Sequence, residues 1–120
     1  MAEHNDVGKK GEELALDFLQ KKGYIILDQN WRSGKNEIDI VMQDGPCLVI
    51  VEVKTRTSTW AGEPEVFVDR KKQRLLIRAA NAYVLRKNIS DEVRFDIVSV
   101  VKKTENPVIT HIQDAFYPTL

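Results

Sequence analysis

An α/β sandwich is the fold this sequence predicts, with helices on the faces of a central mixed sheet. Three observations carry that expectation. Residues 6–22 repeat apolar positions at helical steps, with Gly11, Leu14, Ala15, Phe18 and Leu19 on one stripe. Residues 36–56 carry two β-branched runs around Gln43-Asp44-Gly45-Pro46, the pattern of a hairpin. Residues 69–87 are helical again, with Leu76, Ala79, Ala80, Tyr83 and Val84 inward. The chain has 120 residues, enough for one domain with its own core.

The elements follow in order. Asp6 is positioned to cap the first helix and Gly23 to stop it. Residues 24–31 read as the first strand, and 32–35 as a turn into the hairpin. Residues 55–65 hold Thr, Ser, Gly62 and Pro64 and read as a loop, with Trp60 available to pack or to stack on a base. Strands are expected at 94–101 and 107–113. His4 and His111 have no partners at ligand spacing and are read as structural.

The hairpin is unusual for where its charges fall. Glu37, Asp39, Glu52 and Lys54 interrupt runs of Ile and Val that otherwise look like buried sheet. Strand side chains alternate faces, so Glu37 pairs in direction with Asp39, and Glu52 with Lys54. A turn at Asp44-Gly45 sets Glu37 opposite Glu52 and Asp39 opposite Ile50, all on one face. Asp39 and Glu52 then become diagonal neighbours, roughly 7–8 Å apart at Cα, able to grip one hard cation. A salt-bridged, solvent-facing sheet side is the alternative. Against it, the same face carries Val41, Leu48 and Ile50.

Composition narrows the setting. Apolar residues make up 42% and charged ones 30%, an ordinary globular profile. No apolar stretch approaches the roughly 18 residues of a membrane span, and the start does not read as a signal peptide, so none is expected. The single cysteine, Cys47, permits no internal disulfide and reads as a small hydrophobe opening a strand. A cytoplasmic location is expected. Net charge is zero, with 18 basic and 18 acidic residues, unlike a uniformly basic DNA-binding domain. The charges are segregated, however. Arg70, Lys71, Lys72, Arg74, Arg78, Arg86 and Lys87 face only Asp69 between positions 66 and 88. That stripe is either a solvated helix face or a contact for a polyanion.

With Asp39 as first acid and Glu52-Val53-Lys54 as an ExK element, the hairpin resembles the PD-(D/E)xK nuclease superfamily. The chain more closely resembles the YraN-like family of small bacterial proteins, itself similar to archaeal Holliday-junction resolvases. The matching pieces span nearly the whole sequence: Gly8, Gly11, Glu12 and Ala15; Gly23-Tyr24; Asn30-Trp31-Arg32; Glu37-Ile38-Asp39-Ile40; residues 51–56; Gly62, Pro64 and Glu65; Lys72-Gln73; and Arg94-Phe95-Asp96. Asn36 stands where that family usually has Gly, and Asn tolerates a left-handed backbone. The resemblance implies a restriction-endonuclease-like core with the ExK hairpin central in the sheet. It also implies a metal-dependent endonuclease acting on DNA, branched DNA by analogy, which would need a homodimer to address one junction. Mg²⁺ or Mn²⁺ would sit on Asp39, Glu52 and the Val53 carbonyl, with Glu12 completing the pocket. Lys54 would orient or deprotonate the attacking water. Arg56, Lys72 and Gln73 would contact phosphates, and Arg70, Arg74 and Arg78 would extend the nucleic-acid surface along the second helix. A binding module without turnover, and a protein-interaction domain with an acidic face, are the competing readings.

Overall fold

The central strand of the sheet is the one that carries the ExK sequence. In a computed structural model, residues 2–57, 68–103 and 105–118 are described, with residues 2–7 as backbone alone. Two helices and five strands follow in the order α1 (Ala2–Lys21), β1 (Ile25–Ser33), β2 (Asn36–Asp44), β3 (Cys47–Thr57), α2 (Arg70–Lys87), β4 (Glu92–Lys102) and β5 (Val108–Phe116). The sheet runs β1-β2-β3-β4-β5. All neighbours are antiparallel except β3 and β4, the parallel pair that α2 bridges as a crossover. The expected α/β sandwich is therefore present as a mixed five-stranded sheet with one helix on each face. Among the described residues no helix is long and apolar enough to cross a membrane. The expected loop beyond position 57, with Trp60, Gly62, Pro64 and Glu65, lies outside the described residues, as does the His4 side chain.

Alternation along β3 builds both halves of the core. Leu48 and Ile50 face α2, joining Val41, Phe95, Ile97, Leu76, Ala79, Ala80 and Tyr83. Val49 and Val51 face α1, joining Ile40, Met42, Val98, Val100, Ala15 and Leu19. A strand buried on both faces reads as an unbroken apolar run, which is why charges in its second half stand out.

Both helices stop on left-handed residues. Gly23 (φ 97°) follows α1, where its N–H donates to the Gln20 carbonyl and the Tyr24 N–H to the Leu19 carbonyl. Asn88 (φ 56°) follows α2 with the equivalent pair to Leu85 and Val84, the Schellman arrangement. The start of α1 differs from expectation: Asp6 lies inside the helix, which begins at Ala2. Ala2 and Glu3 suit a first turn, by propensity and by the favourable placing of an acid near the helix N-terminus.

Two further departures concern turns. The hairpin closes on Gly45-Pro46, with Asp44 paired to Cys47, Val41 to Ile50 and Ile40 to Val51. Gly45 takes a positive φ of 57° and Pro46 is held near −65° by its ring, which matches a type II′ turn. Glu37 is therefore not opposite Glu52, nor Asp39 opposite Ile50. The β1–β2 turn likewise uses Gly34 (φ 59°), and Asn36 is an ordinary strand residue paired to Ser33.

Gly11 is where α1 touches the sheet. A Cβ there would collide with Thr55 Oγ1 and lie 2.7–2.8 Å from its Cγ2 and Cβ. Gly11→Ala should lower stability by about 1–3 kcal/mol through overpacking, against roughly 1 kcal/mol of helix propensity gained. Chemical denaturation checks this, and a stabilised variant would mean α1 can lift off β3 freely.

Candidate functional site

The site forms where β2 and β3 part. Their ladder ends at Ile40–Val51, while β3 remains paired to β4 from Cys47 to Thr57. Packing also changes side here: Ile38 joins the α2-side core, whereas Ile40 and Met42 join the α1-side core. Strict alternation would put all three together, so β2 departs from regular pleating at Asp39. The Asp39 side chain takes over the missing ladder bond, its Oδ2 accepting the Val53 N–H at 2.8 Å. A residue's N–H and C=O point to the same strand edge. The Val53 carbonyl therefore faces the gap that β2 vacates.

Three carboxyl groups meet at this gap. Asp39 is in hydrogen-bonding contact with Glu52 on β3 and with Glu12 on α1. The Glu52 side chain is only 11% exposed. Burial, then repulsion from Asp39, pushes its pKa up to about 8, although Lys72 and Lys54 pull it down. Glu12 is pushed up to about 6 by burial and then Asp39. Asp39 itself is raised, burial outweighing the Val53 N–H. The pocket thus crowds more carboxyl groups than its own cations can pair, and they hold their protons to higher pH than free carboxyls do.

The helices set the rest. Asp69 caps α2 by accepting the Lys72 N–H at 2.8 Å, which fixes the start of the helix on which Lys72 sits. Lys72 Nζ stands 3.7 Å from Glu52 Oε2. Among the described residues this is the ion pair Glu52 makes, so the cation paired with it comes from α2 and not from neighbouring Lys54. Gln73 Nε2 donates to the Val68 carbonyl, which ties the amide to the backbone preceding α2. Arg56 is exposed, two residues beyond Lys54. Arg70, Arg74 and Arg78 are exposed on the side of α2 opposite Leu76 and Tyr83, and the structure does not bring them to the carboxylates.

Sequence reasoning missed Asn30 as a member of the site. It sits at φ 49° on β1. With its amide nitrogen turned to the pocket, it donates to Glu12 Oε2 (3.1 Å) and Glu37 Oε1 (3.3 Å). Glu37 also meets Arg32 across the β1–β2 pair at 3.5 Å. The signal in the sequence was the Asn30-Trp31-Arg32 piece, in which Asn30 directly precedes the strand partner of Ile38.

A second charged cluster was also missed. Asp96 is fully buried and accepts from Arg94 Nε and Nη2, from the Asp114 N–H at 2.9 Å, and from His111 Nε2 at 2.7 Å. Arg94 reaches on to Asp44 at 2.8 Å. His111 is thus partnered, and its structural reading stands on that contact. Cys47 is half-buried, and burial raises its thiol pKa.

Among the described residues no group of three His, Cys, Asp or Glu side chains is set to hold a metal ion unaided. The donors that converge are two carboxylates, Asp39 and Glu52, with the Val53 carbonyl directed at the same gap. That set suits Mg²⁺, which takes one or two protein carboxylates and keeps several waters. Carboxyl groups too close to ionise together are a further reason that a cation fits there, since it can take the place of their protons.

Residues 11–100 match the profile of the "Uncharacterised protein family UPF0102". A UPF0102 protein of Flavobacterium psychrophilum is 53% identical over 117 residues, 98% of each chain. One from Bacteroides thetaiotaomicron is 48% identical over 120 residues, covering 100% of this chain and 99% of the relative. One from Christiangramia forsetii is 47% identical over 117 residues, 98% of each.

Proposed function

This chain belongs to the uncharacterised protein family UPF0102, and we propose that its sheet-end carboxylates form the site of a metal-dependent DNA endonuclease with a restriction-endonuclease-like core. The observation that carries the reading is the contact of Asp39 with Glu52 at the end of the β2–β3 ladder, both raised in pKa, with Lys54 one strand step on. Asp39, Glu52 and the Val53 carbonyl would hold Mg²⁺ or Mn²⁺. Such an ion lowers the pKa of water and offsets charge on a phosphate.

The chain's own residues do the remaining work. The Val53 N–H fixes the Asp39 carboxylate through Oδ2, leaving Oδ1 outside that bond. Asn30 holds Glu12 at the margin, where a carboxyl with a pKa of about 6 can exchange a proton near neutral pH. Lys54 orients the nucleophilic water or stabilises the charge developing on the phosphate. Lys72 shares Glu52 and is placed to move to the phosphate as that carboxylate is engaged. Arg56 holds a neighbouring phosphate. Branched DNA remains the substrate favoured by the likeness to resolvases, with a dimer supplying two sites.

One observation favours a second reading, a nucleic-acid-binding module without turnover. Lys72 already pairs with Glu52, whose pKa of about 8 keeps it largely protonated at neutral pH. A cleavage panel over linear, flap and four-way DNA decides between the two, run with Mg²⁺, Mn²⁺ or chelator. Cleavage that needs the metal is expected. Binding without cleavage in either metal would leave the module reading.

A further inference from the structure

The helix that brings Glu12 to the carboxylates presents a different surface on its other flank. Successive residues on a helix turn by about 100°, so with Gly11 against β3, Glu12 and Lys10 project to opposite sides. Glu12 reaches Asp39 near β2. Lys10 and Leu14 instead border a groove of about 290 Å³, whose other walls are Lys102, Lys103 and Pro107 at the end of β4 and the turn beyond it. Lys102 follows Val98 and Val100 on the α1 face and is the strand partner of Thr57. The groove and the carboxylates therefore lie at one pole, the carboxyl ends of the parallel strands β3 and β4, where open α/β sheets place ligands.

We propose that Lys10, Lys102 and Lys103 form a second contact for the phosphodiester backbone of a nucleic-acid strand, so that the strand crosses α1 between this groove and the carboxylates. The inference rests on the nucleic-acid reading of the carboxylate site. Among the described residues the groove walls bring three ammonium groups and no carboxylate, which matches a run of phosphates by charge. Leu14 and Pro107 give it an apolar strip against which sugars can rest. The helix between the two places is roughly 10–12 Å across. At 3.4 Å of axial rise per nucleotide, roughly three nucleotides of one strand cover it. A flat anionic membrane would not need a concave site. An acidic peptide lacks the phosphate that a cation on the adjacent carboxylates would engage.

The test is fluorescence anisotropy of the full chain with a labelled flap oligonucleotide in chelator, titrated over a salt series. Lys10 and Lys103 are exposed and Lys102 is half-buried, so the triple Lys→Gln variant should fold, which circular dichroism checks. Its affinity is expected to fall about tenfold or more, and the slope of log K against log salt by roughly 0.9 per contact. The triple Lys→Arg variant should recover both. The triple Arg70→Gln, Arg74→Gln, Arg78→Gln variant gives the same measure for the outer face of α2. An unchanged slope in the Lys→Gln variant, with wild type binding normally, overturns the groove and leaves the carboxylate reading intact. So does a loss confined to co-sedimentation with phosphatidylserine vesicles, measured in parallel on the same variants. Groove-dependent binding without cleavage in any metal supports the groove while the nuclease reading fails. No binding of nucleic acid by wild type overturns both.

Discussion

Asp39→Asn and Glu52→Gln should each reduce metal-dependent cleavage by a thousandfold or more, and Lys54→Ala by about 10²–10⁴. A metal's charge stabilisation of several kcal/mol corresponds to that loss when a ligand is removed, and a positioned acid or base to the latter. Loss of activity alone does not separate a ligand from a structural group, so stability supplies the second readout. Asn keeps an oxygen that can accept the Val53 N–H, so Asp39→Asn should leave the metal-free fold intact. It also relieves repulsion within the pocket and should raise metal-free stability slightly.

The pH dependence has a definite sign. Glu52 and Glu12 have folded pKa values of about 8 and about 6, against ordinary values of 4.5. The folded state thus binds more protons than the unfolded one between these limits. Their contribution is fully present below pH 4.5 and is lost as pH rises towards 8. Melts in chelator should show that decline, and Asp39→Asn should flatten it. Millimolar Mn²⁺ should stabilise wild type as pH rises and do little for the variant. A loss of roughly 3–5 kcal/mol for Asp39→Asn in chelator would mark a structural buried ion partner and remove the metal reading.

Asp96→Asn should be the most destabilising single change at a charged position, costing about 3–5 kcal/mol. Burial alone would raise the Asp96 pKa, but hydrogen bonds from His111, Arg94 and the Asp114 amide outweigh it and hold the carboxyl below its ordinary range. An amide offers one acceptor atom where the carboxylate offers two, and turns N–H groups towards Arg94 and His111. The half-buried Arg94 would also lose its main counter-charge. Because the folded pKa is depressed, this stability is present above pH 3.8 and is lost as pH falls through the lower folded value. Urea titrations at neutral pH and near pH 3 check both parts. A cost below about 1 kcal/mol would mean that water or a rearranged Arg94 replaces the network.

The two core faces and the central place of β3 were legible because alternation and helical spacing are local signals. The register of the hairpin was not. Asp44-Gly45 and Gly45-Pro46 are both turn-forming pairs, and exchanging one for the other slides the strands by an even number of residues. An even slide keeps every side chain on its own face, so the hydrophobic pattern fits both registers. The dihedral demands of Gly45 and Pro46 decide between them. Glu12 entered through resemblance, since its position on the flank of α1 does not reveal that Asp39 lies beneath it. Lys72 as the partner of Glu52 depended on a crossover helix returning over β3, a non-local fact. The Asp96 cluster did leave a trace: Arg94 and Asp96 alternate inside an apolar strand much as Glu52 and Lys54 do. Only the return of β5 brings His111 to it.

The bond from the Val53 amide to Asp39 has a consequence for how such a protein would decay. On the proposed reading two duties coincide at position 39, since the same carboxylate completes the hydrogen bonding of β3 and would hold the metal. A lineage released from the activity would still be selected to keep an acceptor there, so Asp, Asn or Ser at that place would say little about whether chemistry survives. Glu52 is different. Among the described residues its carboxylate accepts no backbone N–H, and the groups acting on it are Lys72, Lys54 and Asp39. Nothing in the architecture of the sheet would retain it once function had gone. Position 52 is therefore where a silent descendant would first betray itself.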